Sequence, residues 1–464
     1  MSPVVAQQAQ AVNFLGTLKD SIFDSRLLIE IENLISEDEH GFSGKLGGCI
    51  HSFSSNERAY SMLKGKEIVV GVTGGIAAYK GAEFVRLLVK KEASVHVVMT
   101  RNAQEFVAPL TFQTLSGNPV TTNPFVSIEG EKIGHIALAD LAELIAILPA
   151  TANIIGKIAN GIADDFLSTM VMASKAPVLF VPSMNVNMWE SKALQKNIET
   201  LVERGFHFVG PGEGELACGW YGKGRLAELD EIMERIEDLF TPKDLRGEKI
   251  LITAGPTQEP VDPVRFITNR SSGKMGYALA KVARRRGAEV LLVTGPTSLS
   301  MPRRDIEIVP VRTAEEMRKA VLGRTERSSV IIKAAAVSDY RPRVVSEKKL
   351  KKADAYLSLE LERTVDILGE IGRKKGNRIL VGFAAETDDL MENARRKLLE
   401  KNLDFIVVND VMRSDAGFGV DTNQVKILHS SGEIKDLPLV SKEEVAGMIL
   451  DEVVKILKQE KRVE

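Results

Sequence analysis

The chain has 464 residues, a length that suggests two or three domains. Hydrophobic residues make up 44% and charged residues 27%, a balance typical of a globular protein. Its formal net charge is −2, so no excess of basic residues favours binding to nucleic acid or to an anionic membrane. The two cysteines, Cys49 and Cys218, are too few for a disulfide scaffold. They suit a reducing compartment, and we therefore expect a cytoplasmic protein.

Neither a targeting segment nor a membrane segment is predicted. The first residues lack a basic start followed by an apolar run, and the longest apolar stretches fall short of the roughly 20 residues that a membrane helix needs. Residues 1–64 are predicted to be an extension, in which Phe23, Leu27, Ile31 and Ile35 recur at helical spacing and predict one amphipathic helix. No chemistry is evident in this extension, and a packing or assembly arm is the simplest interpretation.

Apolar strands alternate with helical patterns in the rest of the chain, which predicts parallel sheets covered on both faces. The pattern restarts after a short polar segment at residues 241–244. We therefore expect an α/β protein with two doubly wound, Rossmann-like parallel-sheet domains, over residues 65–240 and 241–464. Strands are predicted at residues 68–72, 95–99, 144–148 and 178–181, and then at 250–253, 290–293, 330–332, 379–381 and 405–408.

A glycine-rich turn, Gly-Val-Thr-Gly-Gly at residues 71–75, follows the first predicted strand and precedes a helix. Backbone N–H groups at such a turn can approach a phosphate, and the helix N-terminus favours negative charge. By itself the turn leaves both ligand binding and a purely geometric role open. Neither half contains the Gly-x-Gly-x-x-Gly pattern of dinucleotide-binding domains, which argues against a nicotinamide-dependent dehydrogenase.

Three further segments in the first half carry residue types suited to catalysis. They are Gly-His-Ile-Ala-Leu at residues 134–138, Pro-Ser-Met-Asn-Val-Asn-Met at 182–188 and Leu-Ala-Cys-Gly at 216–219. A lone histidine or cysteine is usually structural, but the combination closely resembles the homo-oligomeric flavin-containing cysteine decarboxylases, specifically phosphopantothenoylcysteine decarboxylase. The resemblance covers residues 66–234 and implies a flavodoxin-like domain that binds FMN.

This resemblance assigns roles by position. His135 would be the essential active-site histidine, Asn185 would bind the substrate carboxylate, and Cys218 would be the acid that protonates the reduced intermediate. Ser183 stands where the family usually has alanine, which is a small change. The residues expected to line the FMN site are Gly74, Gly75, Ile76, Ala77, Thr100, Pro149, Ala150, Thr151, Ala152, Asn153, Ser168 and Thr169.

The implied reaction explains these residue types. Loss of carbon dioxide from a cysteinyl carboxylate leaves a carbanion that has no adjacent electron sink. A flavin that first oxidises the CH₂–SH group to a thioaldehyde provides that sink, and the same flavin can reduce the resulting enethiolate. The reduced product needs a proton on carbon, which a positioned thiol can supply.

The second half carries a different set of motifs. They are Ala-Gly-Pro-Thr at residues 254–257, Asn-Arg-Ser-Ser-Gly-Lys-Met-Gly at 269–276, Ala-Ala-Val-Ser-Asp-Tyr at 335–340 and Gly-Phe-Ala-Ala-Glu-Thr at 382–387. The Ser-Ser-Gly-Lys sequence alone predicts only a capped helix start, because the Gly-x-x-x-x-Gly-Lys-Ser/Thr frame of a P-loop is missing. Asp339, at the end of a buried strand and followed by a basic run at 348–352, suits a metal ligand beside phosphate-binding lysines.

Together these motifs strongly resemble phosphopantothenate–cysteine ligase, over residues 245–453. The resemblance implies that Asn269 holds the acyl-nucleotide intermediate, that Asp339 binds the Mg²⁺-nucleotide and that Lys349 assists nucleotide activation. Relatives often read Asn-Pro-Asp-Ile where this chain has Thr-Val-Asp-Ile. The residues expected at the nucleotide site are Gly255, Ala335, Ala336, Val337, Asp339, Lys349, Thr364, Val365, Asp366, Ile367, Phe383, Lys397 and Lys401.

The two resemblances together imply a bifunctional enzyme of coenzyme A biosynthesis. It would join cysteine to 4′-phosphopantothenate through an acyl-nucleotide and then decarboxylate the product to 4′-phosphopantetheine. Mg²⁺ is expected as a cofactor and CTP as the activating nucleotide, with ATP as the alternative. Transfer of a nucleotidyl group turns a poor acyl donor into one with a good leaving group, while Mg²⁺ and lysines offset the charge that develops on pyrophosphate.

Two other functions remain open at this point: a regulatory flavoprotein without catalysis, and a decarboxylase of peptide C-terminal cysteines. His135, Asn185 and Cys218 together argue against the first, and the fused ligase half argues against the second. The resemblance also implies a homo-oligomer, expected to be a dodecamer of decarboxylase trimers and ligase dimers. No nucleic-acid or membrane partner is expected.

Overall fold

A computed structural model describes residues 62–122, 134–217, 219–300, 305–351, 357–386, 390–410 and 419–460. They all belong to one compact unit, Tyr60–Glu464. The amphipathic helix predicted around residues 23–35 lies outside the described residues. Within the described part of the chain, no helix has both the length and the apolar character required to cross a bilayer.

Six parallel strands form the first sheet, in the order β3-β2-β1-β4-β5-β6. Apolar side chains extend from both faces of the sheet, and every residue of its fourth strand, β4, is buried. Its strands are β1 (Glu67–Val72), β2 (Ser94–Met99), β3 (Val120–Thr121), β4 (Leu144–Ala150), β5 (Val178–Pro182) and β6 (His207–Phe208).

Helices cover this sheet on both faces. Val70 packs with Phe84 and Ile236 on one face, while Ile145 packs with Phe166 and Leu201 on the other. The helices are α1 (Ala78–Lys90), α2 (Pro109–Ser116), α3 (Gly134–Leu141), α4 (Ala152–Ala159), α5 (Phe166–Ala173), α6 (Val186–Glu190), α7 (Lys192–Glu203) and α8 (Leu229–Phe240), with a 3₁₀ helix at Arg101–Glu105 and a hairpin of β7 (Gly212–Glu215) and β8 (Tyr221–Arg225).

The second sheet has eight strands, in the order β13-β12-β9-β14-β17-β18-β20-β21. The first six are parallel, whereas the last two pair antiparallel at one edge. Its strands are β9 (Lys249–Ala254), β12 (Glu289–Thr294), β13 (Glu307–Pro310), β14 (Val330–Lys333), β17 (Ile379–Glu386), β18 (Phe405–Asp410), β20 (Val425–His429) and β21 (Ile434–Asp436).

The helices of the second half are α9 (Lys274–Arg285), α10 (Ala314–Thr325), α11 (Ile367–Arg373), α12 (Leu390–Glu400) and α13 (Lys442–Glu460). Ile252 packs with Leu279 and Ile449 on one face of the sheet, and Leu251 packs with Leu368 on the other. Three small ribbons complete the fold: β10 (Gln258–Pro260) with β11 (Phe266–Thr268), β15 (Tyr340–Pro342) with β16 (Leu361–Arg363), and β19 (Thr422–Asn423) with β22 (Val440–Ser441).

The prediction of two doubly wound parallel sheets is confirmed, and the antiparallel edge of the second sheet is an addition to it. A tight turn connects its last two strands, β20 and β21: Gly432 adopts a φ of 89°, and the His429 N–H donates to the Glu433 carbonyl oxygen at 2.9 Å. In both sheets, the strand that comes first in the chain lies beside the fourth. Strand order reverses there, so a crevice opens at the carboxyl ends of these strands.

Close backbone packing at the end of β12 generates a test of the second fold. A Cβ added to Gly295 would lie 1.7 Å from the Pro256 carbonyl oxygen, so the backbone of that turn would have to move. We expect Gly295→Ala to lower the free energy of unfolding by about 2–4 kcal/mol. Thermal unfolding of the purified protein measures the loss.

The matched control is Gly323→Ala, on α10, where an added Cβ meets nothing within 4 Å. Because alanine favours a helix over glycine, this variant should be neutral or more stable by up to about 1 kcal/mol. Equal melting temperatures for the two variants would contradict the role of close packing at residue 295.

Candidate functional sites

Thr73 joins the carboxyl ends of β1 and β4 in the first sheet. Its buried hydroxyl donates to the Pro149 carbonyl oxygen at 2.6 Å and accepts from the Thr151 N–H at 3.2 Å. Gly75 lies beside the same segment, because a Cβ added there would be 3.6 Å from Thr151 Cγ2 and 3.7 Å from Pro149 Cγ. The structure thus brings the predicted glycine turn against the predicted segment 149–153.

The glycine turn also meets the loop that follows β2. A Cβ at Gly74 would lie 2.5 Å from Cβ of Asn102, so only glycine fits without a shift of that loop. The neighbouring Thr100 donates its N–H to the Val72 carbonyl oxygen at 3.0 Å. Three predicted FMN segments therefore converge at one edge of the sheet, around residues 74–77, 100 and 149–153.

Ser168 and Thr169 lie in the first turn of α5, where their hydroxyls form hydrogen bonds that stabilise the beginning of the helix. Asp165 is the N-cap: its carboxylate accepts from the Ser168 N–H at 2.8 Å, and the Ser168 hydroxyl lies 2.9 Å from the same oxygen. The Thr169 hydroxyl donates to the Asp165 carbonyl oxygen at 2.7 Å. The sequence analysis missed this capping box, which the Asp-Phe-Leu-Ser spacing could have indicated.

Asp165 is held as a carboxylate. Burial by itself would raise its pKa, but hydrogen bonds from Ser168 and from the Lys157 ammonium, 3.0 Å away, outweigh burial and lower the pKa below its usual value. The start of α5 is therefore rigid and charged. The contact of Ser168 and Thr169 with FMN stays a prediction, which rests on the backbone and position of these two residues.

His135 lies at the beginning of α3 and is partly exposed. Its ring meets the ring of Phe166, the first residue of α5, edge to face, with 6.1 Å between centroids and 83° between planes. This contact orients the imidazole beside the start of α5. The structure thus places the predicted segment 134–138 against the helix that carries the predicted FMN residues Ser168 and Thr169.

Asn185 is the N-cap of α6, where its Oδ1 accepts from the Asn187 N–H at 2.9 Å. The β7–β8 hairpin packs onto this loop: the Met184 N–H donates to the Gly224 carbonyl oxygen at 2.9 Å, and a Cβ at Gly224 would lie 2.2 Å from the Met184 carbonyl oxygen. Cys218, which comes between β7 and β8 in the sequence, lies outside the described residues.

A cavity of about 970 Å³ opens at the carboxyl edge of the second sheet. Most of the predicted nucleotide-site residues line it, together with Asn269. The predicted residues in its lining are Asn269, Ala335, Ala336, Val337, Asp339, Thr364, Val365, Asp366, Ile367, Phe383, Lys397 and Lys401.

Two predicted residues do not line this cavity. Gly255 lies behind its wall, where its carbonyl oxygen accepts from the Ala336 N–H at 3.0 Å and its φ of 71° suits glycine. Lys349 is exposed, on a segment anchored where the Leu350 N–H donates to Asp262 Oδ2 at 3.1 Å. Its role in nucleotide activation stays a prediction.

Asn269 fastens the Ser-Ser-Gly-Lys loop to the loop after β14. Its Nδ2 donates to the Val337 carbonyl oxygen at 3.0 Å. Thr268 supports it by donating its hydroxyl to the Thr257 carbonyl oxygen at 2.7 Å. Hydrogen bonds therefore join three of the four ligase motifs: 269–276 and 335–340 line the cavity, and 254–257 supports them from behind.

Positive charge dominates the lining, with eight basic side chains against two acidic ones, Asp339 and Asp366. Such a surface suits a polyanionic ligand. The sequence analysis assigned no site role to Arg270, Lys274, Lys333, Arg363, Arg396 and Lys442. Arg270 and Lys274 lay in a recognised motif and Lys333 directly before another, whereas Arg363, Arg396 and Lys442 come from elements far apart in the chain.

Some of these cations have carboxylate partners. The Lys401 ammonium lies 3.0 Å from Asp366, and that of Lys274 lies 2.7 Å from Asp421. Burial would raise the pKa of Asp366, but the hydrogen bonds from the Gly369 N–H and Lys401 keep it below its usual value. Burial and the nearby Lys274 lower the pKa of Lys442.

Comparison with known proteins gives matches over both halves. The family model "Flavoprotein" matches residues 56–241, and the model "DNA/pantothenate metabolism flavoprotein C-terminal domain" matches residues 245–457. Among solved structures, the C-terminal domain of a coenzyme A biosynthesis bifunctional protein CoaBC is 46% identical, covering 47% of this chain and 99% of its own, with a TM-score of 0.41. The FMN-dependent cysteine decarboxylase SpaF is 29% identical, covering 37% of this chain and 94% of its own, with a TM-score of 0.33.

Two curated relatives match most of the chain. The coenzyme A biosynthesis bifunctional protein CoaBC of Bacillus subtilis is 50% identical over 401 residues, which are 86% of this chain and 99% of that protein. Its counterpart in Escherichia coli is 43% identical over 397 residues, 84% of this chain and 97% of that protein. Identity at this level over nearly the whole of both relatives shows that the chain belongs to the family of CoaBC bifunctional coenzyme A biosynthesis proteins.

Proposed function

We propose that this chain catalyses two successive steps of coenzyme A biosynthesis: ligation of cysteine to 4′-phosphopantothenate, then decarboxylation of the product to 4′-phosphopantetheine. The observation that carries the proposal is the cavity of the second sheet, with eight basic and two acidic side chains in its lining. A site that accepts a nucleoside triphosphate and a phosphorylated acid must offset several negative charges.

In the ligase half, the carboxylate of phosphopantothenate attacks the α-phosphorus of the nucleotide, here proposed to be CTP, and pyrophosphate leaves. The cysteine amine then attacks the activated carbonyl group, and CMP leaves. Asn269 positions the acyl-nucleotide beside the loop of Val337, and Lys397 of α12 and the following Lys401 offset the phosphate charges. Most of the acceleration would come from holding the reactants together rather than from covalent catalysis.

Mg²⁺ fits this cavity as an ion held jointly by protein and nucleotide. No cluster of three or more histidine, cysteine or acidic residues suited to a metal occurs among the described residues. Mg²⁺ commonly needs only one or two carboxylates besides substrate phosphates. Asp339 lines the cavity and is the carboxylate we propose, since Asp366 is already paired with Lys401.

In the decarboxylase half, FMN would bind where residues 74–77, 100 and 149–153 converge. Bound FMN would supply the oxidation that makes carbon dioxide a feasible leaving group and return the electrons afterwards. Asn185, at the start of α6, would hold the substrate carboxylate. His135, oriented by Phe166, would complete the site, and Cys218 would deliver the final proton to carbon.

We further propose that the two activities reside in residues 65–240 and 241–464, and that the chain forms a dodecamer of decarboxylase trimers and ligase dimers. Exposed apolar side chains on and near the ribbons of the second half, among them Phe266, Val344 and Leu361, support contact with another copy. A monomeric mass in light scattering would contradict this assembly.

Product analysis tests the function directly. The purified protein is incubated with 4′-phosphopantothenate, cysteine, Mg²⁺ and either CTP or ATP, and products are followed by mass spectrometry. We expect 4′-phosphopantetheine with CTP, and bound FMN in the protein. If only phosphopantothenoylcysteine forms, the protein has the ligase activity but not the decarboxylase activity. If folded, flavin-loaded protein forms no product with either nucleotide, the proposal is overturned.

The thiol of Cys218 can be tested separately, with the other cysteine as the control. We expect Cys218→Ser to release carbon dioxide but to accumulate the unreduced enethiol, because a serine hydroxyl is a far weaker acid than a thiol. Cys49→Ser should behave like the parent enzyme. Full conversion to phosphopantetheine by Cys218→Ser would exclude this role of the thiol.

A further inference from the structure

Lys333 occupies the end of a central strand in the second sheet. It is the last residue of β14, with Thr253 of β9 on one side and Gly382 of β17 on the other. Side chains alternate along a strand, so Lys333 leaves the same face as Ile331, which packs in the core against α11 and α12. Its side chain lines the cavity at the point where strand order reverses.

The Lys333 ammonium differs from its neighbours in its contacts. Lys401 is paired with Asp366 and Lys274 with Asp421, at 3.0 and 2.7 Å. For Lys333, the described part of the chain provides neither a hydrogen-bond acceptor nor a carboxylate partner. A cation placed on the floor of a basic cavity without a protein partner is available to an anionic ligand.

We propose that the Lys333 ammonium binds the polyphosphate of the nucleotide, as a phosphate-binding group beyond the residues that the family resemblance indicates. The identity of the ligand rests on the proposed function. The nucleotide is favoured over the phosphate of phosphopantothenate because the charged groups around Lys333, namely Lys397, Lys401 and Asp366, belong to the predicted nucleotide segments.

The charges around Lys333 make its binding of phosphate dependent on pH. Lys397 faces it from α12, Lys401 from just after that helix, Asp366 from the start of α11 and Asp339 from the segment after β14. The other basic residues of the cavity lining are Arg270, Lys274, Arg363, Arg396 and Lys442. Burial, and then repulsion from Lys401 and Lys397, lower the pKa of Lys333 to about 8, against the opposing attraction of Asp366 and Asp339. A bound polyphosphate adds negative charge and raises this pKa again, so binding near pH 8 takes up a proton.

Calorimetry with inorganic tripolyphosphate, free of Mg²⁺, measures this uptake when the titration is repeated in buffers of different ionisation enthalpy. We expect the parent protein to take up more protons at pH 8 than Lys333→Gln does, and the two to differ little at about pH 6.5, where this lysine is already charged; the comparison removes the protons exchanged by tripolyphosphate itself, which also titrates in this range. Lys333→Gln should bind tripolyphosphate at least about tenfold more weakly and lose the extra uptake. Lys333→Arg should keep the affinity without the extra uptake, because a guanidinium stays charged at both pH values.

Lys319→Gln, at an exposed site on α10, is the matched control and should behave like the parent protein. Absence of tripolyphosphate binding by the parent protein, or undiminished affinity or proton uptake in Lys333→Gln, would overturn the role of Lys333. The same titrations with CTP, ATP and phosphopantothenate locate the ligand, and a loss confined to phosphopantothenate would overturn the nucleotide assignment.

The two proposals fail in different ways. If neither nucleotide supports ligation while tripolyphosphate binding still depends on Lys333, the proposed function is wrong and the phosphate site stands. If product forms and Lys333→Gln binds every phosphate compound as the parent protein does, the function stands and Lys333 has no part in phosphate binding.

Discussion

Both sites depend on one constraint, the reversal of strand order in each parallel sheet. The first and fourth strands lie side by side, and their connections leave toward opposite faces, so no element fills the space beyond their carboxyl ends. In the first sheet, the Thr73 hydroxyl ties these two strand ends together. In the second, the backbone pairing of Gly255 with Ala336 does the same. The loops that bind ligands are thereby held by the sheet itself.

Ion pairs connect the two halves away from these crevices, and the pair of Arg284 with Asp238 is largely buried. Arg284, at the end of α9, makes two hydrogen bonds of 2.8 Å to Asp238 of α8, and Arg286 pairs with Asp244 at 2.6 Å in the segment between the sheets. Removing one partner of a buried pair is costly, commonly about 3–5 kcal/mol, because the other charge is left without compensation. These pairs link two halves that each have a core of their own within one compact unit.

The basic cavity also bears on stability. Lysines 333, 397 and 401 repel one another, and only part of this repulsion is offset by Asp366 and Asp339. A fold tolerates such a cluster when a ligand supplies the missing negative charge, since binding then removes repulsion as well as forming contacts. The same reasoning explains why Lys401 needs Asp366 beside it: the pair keeps part of the cavity floor in place before a ligand arrives.

The sequence by itself determined the strands, their parallel arrangement and the loops that carry chemistry, because continuous apolar runs and glycine turns are local signals. The nucleotide-site residues were indicated by the resemblance to the ligase family, and most of them line one cavity. Only the tertiary structure decided which residues from distant parts of the chain lie close together. The pairing of β20 with β21 at the antiparallel edge depends on a turn at Gly432, and the hydroxyls of Ser168 and Thr169 stabilise the start of a helix. Lys333 and Lys442 line the same cavity although they lie more than 100 residues apart in the chain. Folding alone brings them together, because the order of the strands in the sheet, not their order in the chain, sets the distance between them.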